Sequence, residues 1–199
     1  GTLNTQNKDV VVIGGGDTAM DCVRTAIRQK AKSVKCLYRR DRENMPGSAR
    51  EVANAIEEGV EFIWLSGPKK FTGNKQVEEV QVNKMILGSA DSSGRRKPEI
   101  QEKSEYNIKA DIVIKSLGFD PENLPELFSE KELSVSRWGT IKIDLNTMQT
   151  NIDGIFAAGD IVRGASLVVW AIKDGRDVAV QIQRYLKEKS IQKDKVKAA

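Results

Sequence analysis

Residues 10–19 read Val-Val-Val-Ile-Gly-Gly-Gly-Asp-Thr-Ala, and the fold is decided there. Val10, Val11, Val12 and Ile13 form a short apolar, β-branched run, the pattern of a strand covered on both faces. A glycine turn follows, and a helical pattern opens near Asp17. The spacing Gly14-x-Gly16-x-x-Ala19 fits the G-x-G-x-x-[G/A] turn that lays a dinucleotide pyrophosphate on a helix N-terminus. Gly14 permits the tight turn, Gly16 bares the backbone to the pyrophosphate, and Ala19 lets the helix pack close to the strand. The helix adds unpaired N–H groups and its partial positive end.

Outward from the turn, Met20, Val23, Ala26 and Ile27 recur at helical spacing and predict a helix over residues 17–29 with that face on a sheet. Residues 34–38 read as the second strand, which ends in Arg39, Arg40, Asp41 and Arg42. In a dinucleotide fold this strand end lies against the adenosine ribose. A carboxylate there accepts from a free 2′-hydroxyl, whereas a guanidinium grips a 2′-phosphate with paired N–H bonds. Arg39 and Arg40 therefore predict NADP(H) over NAD(H), and Asp41 opposes that preference. Residues 48–58 read as a helix with a Ser48/Glu51 capping box and Gly59 as its stop, followed by a third strand at 60–65. This alternation is the α/β pattern of a Rossmann-like doubly wound parallel sheet.

From about 67 to 109 the pattern changes. Val77, Val80, Val82, Met85 and Ile86 alternate with polar residues, a Gly/Ser-rich turn occupies 88–94, and 98–108 is polar and strand-like. This predicts an antiparallel β-meander set on the parallel sheet, an insertion with no function of its own. Residues 110–116 return to a buried strand, punctuated by Gly118 and Pro121. Farther on, short strands are predicted at 140–143 and 155–158, the latter ending in Gly159-Asp160, where a carboxylate is placed to accept from a ribityl or ribose hydroxyl. Gly164-Ala165-Ser166 then opens an apolar helix over 167–186, with Asp174, Arg176, Asp177, Gln181 and Arg184 as its polar face.

The 199 residues are 39% hydrophobic and 30% charged, which fits a soluble globular chain of one large or two small domains. No apolar run approaches the ~20 residues that span a bilayer, and no leader pattern is read. The chain has no histidine, which removes the commonest general acid/base and zinc ligand; no metal site is expected, and the chemistry is assigned to a cofactor. Cys22 and Cys36 form neither a Cys-x-x-Cys pair nor a cluster, and are expected to be plain buried thiols in a reducing cytoplasm. The net charge of +4 comes partly from the lysine-rich end at 187–197, and no aromatic-interleaved basic stripe points to nucleic acid.

Three stretches carry a resemblance: Gly-Gly-Gly-Asp-Thr-Ala-Met-Asp (14–21), Tyr-Arg-Arg-Asp-Arg-x-x-Met-Pro-Gly (38–47) and Gly-Ile-Phe-Ala-Ala-Gly-Asp-Ile-Val-Arg-Gly-Ala-Ser-Leu-Val-Val-Trp-Ala-Ile (154–172). Over residues 10–186 the chain resembles the small (β) subunit of bacterial NADPH-dependent glutamate synthase. It is more distantly similar to the N-terminal reductase part of dihydropyrimidine dehydrogenase. The resemblance implies an FAD- and NADPH-binding reductase fold in which the NADPH domain is inserted into the FAD domain. On it, residues 1–115 are the NADPH domain with its meander, and 116–199 are the C-terminal part of the FAD domain with a terminal helix and tail. Gly14, Gly15, Gly16, Asp17, Thr18 and Ala19 would hold the pyrophosphate, and Arg39 and Arg40 the 2′-phosphate. Ser116, Leu117 and Gly118 mark the crossing between domains, and Gly159, Asp160, Ser166, Leu167 and Val168 touch FAD.

In the family NADPH reduces FAD by hydride transfer, and electrons then pass through iron–sulfur clusters to the large subunit, where glutamate forms. The family's subunit is far longer, with a cysteine-rich cluster-binding region and a second glycine fingerprint that these residues do not contain. The chain is thus expected to be a fragment that binds NADPH and is inactive alone. Lys30 and Ile56 stand where the resemblance implies Gly and Glu. The apolar residues at 155–158 and 167–172 predict self-association, as a homodimer. Two other readings stay open: a stand-alone NADP(H)-binding or partner-docking module without redox activity, and a thioredoxin-reductase-like enzyme, which would need a redox cysteine pair.

Overall fold

The apolar run becomes β1 (Asp9–Ile13), with all of its residues buried. Val10 and Val12 enter one core, Val11 and Ile13 another. Burial on both faces is why the run shows no polar alternation. In the computed structural model, which describes residues 4–90 and 96–197 and side chains as far as 191, β1 pairs in parallel with β2 (Ser33–Leu37) and β8 (Ile112–Lys115). β2 pairs with β3 (Glu61–Ile63), giving the parallel order β3-β2-β1-β8. The chain leaves β1 toward β2 on one side and reaches β8 on the other. The carboxyl ends of β1 and β8 therefore flank the switch point where ligands bind in such sheets.

On one face lie α1 (Asp17–Arg28) and α2 (Ala49–Glu57). Ala19, Met20, Val23 and Ala26 pack with Val52 and Ala55 onto Val10, Val12 and Cys36, while Ile27 is only partly buried. Lys30 carries the turn that the resemblance assigns to glycine: its φ is 63° and its N–H donates to the Ile27 carbonyl at 2.8 Å. The predicted capping box does not form. Ser48 makes no side-chain cap; its backbone N–H donates instead to Asp17 Oδ1 at 2.9 Å, and Glu51 pairs with Arg24. Arg24 also pairs with Glu58 at 2.8 Å, so Glu51 joins a link between the two helices rather than closing its own helix end.

The other face carries β4 (Ser66–Thr72), β5 (Glu79–Ala90), β6 (Arg96–Ile100) and β7 (Tyr106–Lys109). They form an antiparallel sheet in the order β4-β5-β6, with β7 also on β5. Val80, Val82 and Ile108 close the second core against Val11, Ile13 and Leu37. The predicted third strand shortens to three residues, and β4 begins directly after Leu65, whose φ of 49° turns the chain. The stretch 98–108 divides into β6 and β7, with Lys103 at φ 55° between them. β8 is half-buried rather than buried, because it is the edge of its sheet. Part of the predicted turn at 88–94 and the first three residues of the leading segment lie outside the described residues.

The chain divides into two units, Gly1–Leu117 and Gly118–Ala199. The second contains α3 (Leu124–Leu127), α4 (Asp160–Arg163) and α5 (Val168–Lys197) around a small core of Leu133, Ile141 and Ala157. The strands predicted at 140–143 and 155–158 reduce to isolated bridges, Val135 with Ile141 and Gln149 with Phe156, because no ladder forms beside them among the described residues. α5 continues well past residue 186. Tyr185 packs edge-on against Phe156 at 5.5 Å, and Lys189 pairs with Asp153 at 2.7 Å. The side chains of the lysine-rich end from 192 onward lie outside the described residues. No helix among the described residues is long and apolar enough to cross a membrane.

Candidate dinucleotide site

The three glycines after β1 are there for different reasons. Gly14 has φ 149°, and a Cβ on it would stand 2.3 Å from the Ser116 carbonyl oxygen. A Cβ on Gly15 would stand 2.2 Å from Cε2 of Tyr38. Gly16 caps α1 with φ −94° and ψ 178°, and a Cβ there would meet nothing within 4 Å. The first two glycines are demanded by the protein's own packing; the third fronts open space. The N–H groups of Gly15, Gly16, Asp17 and Thr18 donate to no protein acceptor among the described residues, whereas Ala19 N–H returns to the Gly16 carbonyl at 2.9 Å. These free donors open a 12-residue helix whose dipole favours an anion at the same end.

The segment after β2 folds across this turn. Gly47 N–H donates to the Gly15 carbonyl at 2.8 Å, and Tyr38 hydroxyl donates to the Asn44 carbonyl at 3.0 Å. Ser66 N–H donates to Tyr38 O and Leu65 N–H to Arg40 O, both at 3.0 Å, so the end of β2 is tied to the start of β4. The Asp41 carboxylate accepts from Asn44 N–H at 2.9 Å and from its Nδ2 at 2.7 Å. Those bonds hold its carboxyl below the usual range. The residue read as opposing a 2′-phosphate is thus committed to its own turn.

The two arginines differ. Arg39 is exposed and makes no hydrogen bond or ion pair among the described residues. Arg40 is 9% exposed, and its Nε donates to the Arg96 carbonyl at 2.8 Å. Charge at the strand end is legible in the sequence; the division into one free and one anchored guanidinium is not, because the anchoring carbonyl is 56 residues away. At the end of β8, Ser116 N–H donates to the Ile13 carbonyl at 2.8 Å and its hydroxyl to Cys22 Sγ at 3.4 Å. Leu117 beside it is exposed, and Gly118, at φ 82°, begins the second unit. Both cysteines are free. Cys36 is buried and its thiol is pushed up to about 12 by that burial, while Cys22 is half-buried rather than buried, packed against the rim of the first core.

In the second unit Gly159 has φ 78°, a Cβ on it would meet nothing within 4 Å, and Asp160 after it is exposed. Ala158, Gly159, Asp160, Ser166 and Val168 line a cavity of about 430 Å³, and Leu167 is exposed beside them. Asp174, expected on a polar face, is 4% exposed. It accepts from Arg163, Nη2 to Oδ1 at 2.7 Å, and Arg163 also lies over the Trp170 ring at 5.2 Å. This pair ties α4 to α5 and closes the turn that carries Ser166 and Leu167. The Arg163 guanidinium holds the Asp174 carboxyl below its usual range. A depressed folded pKa stabilises above the unfolded value, roughly 4, and that stabilisation is lost as pH falls below it. Thermal midpoints recorded from pH 6 to pH 3 are expected to fall less steeply for Asp174→Asn than for the parent chain; coincident slopes refute the role given to this pair.

Comparison with known proteins gives the same outline. The family model described as pyridine nucleotide-disulphide oxidoreductase matches residues 2–175. The glutamate synthase [NADPH] small chain of Azospirillum brasilense is 64% identical over 190 residues, covering 96% of this chain and 39% of that one. The protein of the same name from Escherichia coli (strain K12) is 48% identical over 189 residues, covering 92% and 40%. This chain therefore spans about two fifths of the length of these relatives. Among solved structures, thioredoxin reductase of Lactococcus lactis superposes with a TM-score of 0.74 at 25% identity, over 92% of this chain and 54% of that one.

Proposed function

Because the chain belongs to the pyridine nucleotide-disulphide oxidoreductase family, we propose that it is the NADPH-binding piece of a flavin reductase of the glutamate synthase small-chain type. The observation that carries this reading is the open space at Gly16, with unpaired N–H groups around it at the head of α1. Gly15, Gly16, Asp17 and Thr18 offer the backbone donors for a pyrophosphate, with Gly14 and Ala19 setting the turn's shape. Arg39, exposed at the end of β2, supplies the cation for a 2′-phosphate, with Arg40 beside it. Ser116, Leu117 and Gly118 lie where the chain passes from residues 1–115 to the flavin-binding part at 116–199.

In that second part the open Gly159, the exposed Asp160 and the cavity reaching Ser166 and Val168 support a partial FAD site, which Leu167 borders. Bound there, NADPH would supply a hydride and FAD would accept it, and in the glutamate synthase reading iron–sulfur clusters and a glutamate-forming large subunit would take the electrons. The chain's own residues bind, orient and select the nucleotide. Alone they are expected not to sustain turnover, because hydride transfer needs nicotinamide and flavin held in contact. The exposed Leu167, Val168, Val169 and Ile172 support self-association in solution, and a cytoplasmic setting fits the two free thiols.

Calorimetric titration with NADPH and NADH at two salt concentrations tests the reading. NADPH is expected to bind at least about tenfold tighter, about 1.4 kcal/mol, with the gap narrowing as salt rises. Equal affinity for the two nucleotides, or no binding of either, overturns it.

A further inference from the structure

Arg96 opens β6, and its side chain turns back across the β5–β6 hairpin. Nε donates to the Gly88 carbonyl at 3.0 Å and Nη2 to the Leu87 carbonyl at 2.8 Å. The register of the β5–β6 pairing slips between Leu87 and Ala90. A bulge of this kind strands carbonyls without cross-strand donors, and the Arg96 guanidinium supplies them. The main-chain carbonyl of the same residue receives Arg40 Nε at 2.8 Å. Arg96 thus fastens the hairpin with its side chain and holds Arg40 with its backbone.

The consequence lies in the geometry of Arg40. A guanidinium carries five N–H donors in one rigid plane. Nε is fixed on the Arg96 carbonyl, and at the root of the side chain the Arg40 main-chain carbonyl is fixed by Leu65 N–H at 3.0 Å, so the side chain is anchored at its head and its backbone at its base. The Nη edge, which has no partner among the described residues, is left as a fork of two parallel donors, the arrangement that matches two phosphate oxygens. Arg96 also contributes positive potential at the Asp41 carboxylate of that turn.

We propose that Arg96 is a positioning residue for the 2′-phosphate subsite, acting through Arg40, so that the β5–β6 hairpin helps set the preference for NADPH over NADH. This rests on the nucleotide-binding reading above. It gives the second sheet a role in selectivity, although its sequence reads as an insertion with none.

The test is calorimetry of the 199-residue chain and its Arg96→Ala, Arg96→Lys and Arg40→Lys variants with NADPH and with NADH, each checked for folding by circular dichroism. Arg96→Ala and Arg96→Lys are both expected to raise the NADPH Kd by about five- to tenfold while changing NADH by less than about twofold. Lysine keeps the charge but loses the planar Nε/Nη2 pair of donors set on the two carbonyls, so recovery of parental affinity in Arg96→Lys overturns the proposal. So does an unchanged NADPH affinity in both variants, or a parallel loss for both nucleotides. Arg40→Lys, which keeps charge and drops Nε, covers the case of an Arg96 variant that folds poorly: it is expected to show the same selective loss, and normal NADPH affinity there overturns the proposal. In that background Arg96→Ala is expected to add less than about twofold, since both act through one contact, and additive losses overturn it. A parent chain that does not prefer NADPH refutes the underlying reading before any variant is made. A parent that prefers it, with insensitive variants, refutes only the role of Arg96.

Discussion

Gly14→Ala is expected to unfold the first unit at temperatures the parent chain withstands, while Gly16→Ala, two residues on, leaves stability intact and removes nucleotide binding. The φ of 149° at Gly14 is already costly for a residue with a side chain, and the added methyl would lie 2.3 Å from the Ser116 carbonyl oxygen and 3.0 Å from its carbon. Neither atom can yield cheaply. Ser116 N–H is bonded to the Ile13 carbonyl, and β8 is in register with β1 up to the pair Ile13 and Lys115. Strain plus overpacking at such a point is worth about 4 kcal/mol or more, a large part of the ~5–15 kcal/mol that holds a domain folded. In a thermal melt that is a fall of about 10–20 °C. At Gly16 the backbone is extended, which alanine adopts freely, and the space is open, so the midpoint should move by less than about 2 °C. The methyl would instead occupy the approach of the pyrophosphate, and NADPH affinity should fall at least about tenfold. Equal melting of Gly14→Ala and the parent refutes the packing argument. Unchanged NADPH binding by Gly16→Ala refutes the cradle.

How much of this is legible in the sequence depends on where each residue's partner lies. β1, α1 and β2 can be read because their periodicity is itself the record of what they bury: Val10 to Ile13 serve two cores, and Ala19, Met20, Val23 and Ala26 serve one. The meander shows itself by alternation for the same reason, with Val80 and Val82 both facing the parallel sheet. β4 does not. No strand is expected at its residues from the sequence; Gly67 and Pro68 lie inside it, where Pro68 opposes Val82 and the ladder slips before Lys70. A bulge is where a strand tolerates proline, and nothing in the local sequence distinguishes that from a loop. Asp174 and Arg40 mislead in a related way. Asp174 reads as part of a polar face and Arg40 as the equal of Arg39, yet both are buried by partners, Arg163 and the Arg96 carbonyl, that no local pattern can supply. Ser48 and Glu51 match a capping motif in spacing alone, while Asp17 and Arg24 on the neighbouring helix take their bonding groups. The glycine fingerprint is legible as chemistry, but its division into two packing glycines and one open glycine needs the positions of Ser116 and Tyr38.

Arg39→Ala is expected to weaken NADPH binding by about 10- to 100-fold and to leave NADH nearly unchanged. The size follows from what one guanidinium does for a phosphate dianion: hydrogen bonds to charged groups are worth about 1.5–3 kcal/mol, and at this strand end they form only with the 2′-phosphate. Arg39 makes no hydrogen bond or ion pair with the described residues, so its removal breaks none of their contacts and the melting temperature should stay within about 2 °C. That separates it from Arg40, whose loss would also free the Arg96 carbonyl. Arg39→Glu carries the argument further. A carboxylate facing the ribose repels a 2′-phosphate and can accept from a 2′-hydroxyl, so the preference should invert toward NADH. Asp41 does not already perform that role, since its carboxylate is held by the Asn44 amide groups and faces its own turn. Raising salt should shrink the difference between Arg39→Ala and the parent for NADPH and have little effect for NADH, because only the former pairing involves the extra charges. Equal losses for both nucleotides would show that Arg39 touches a part they share, and the assignment of the 2′-phosphate to the end of β2 would fall.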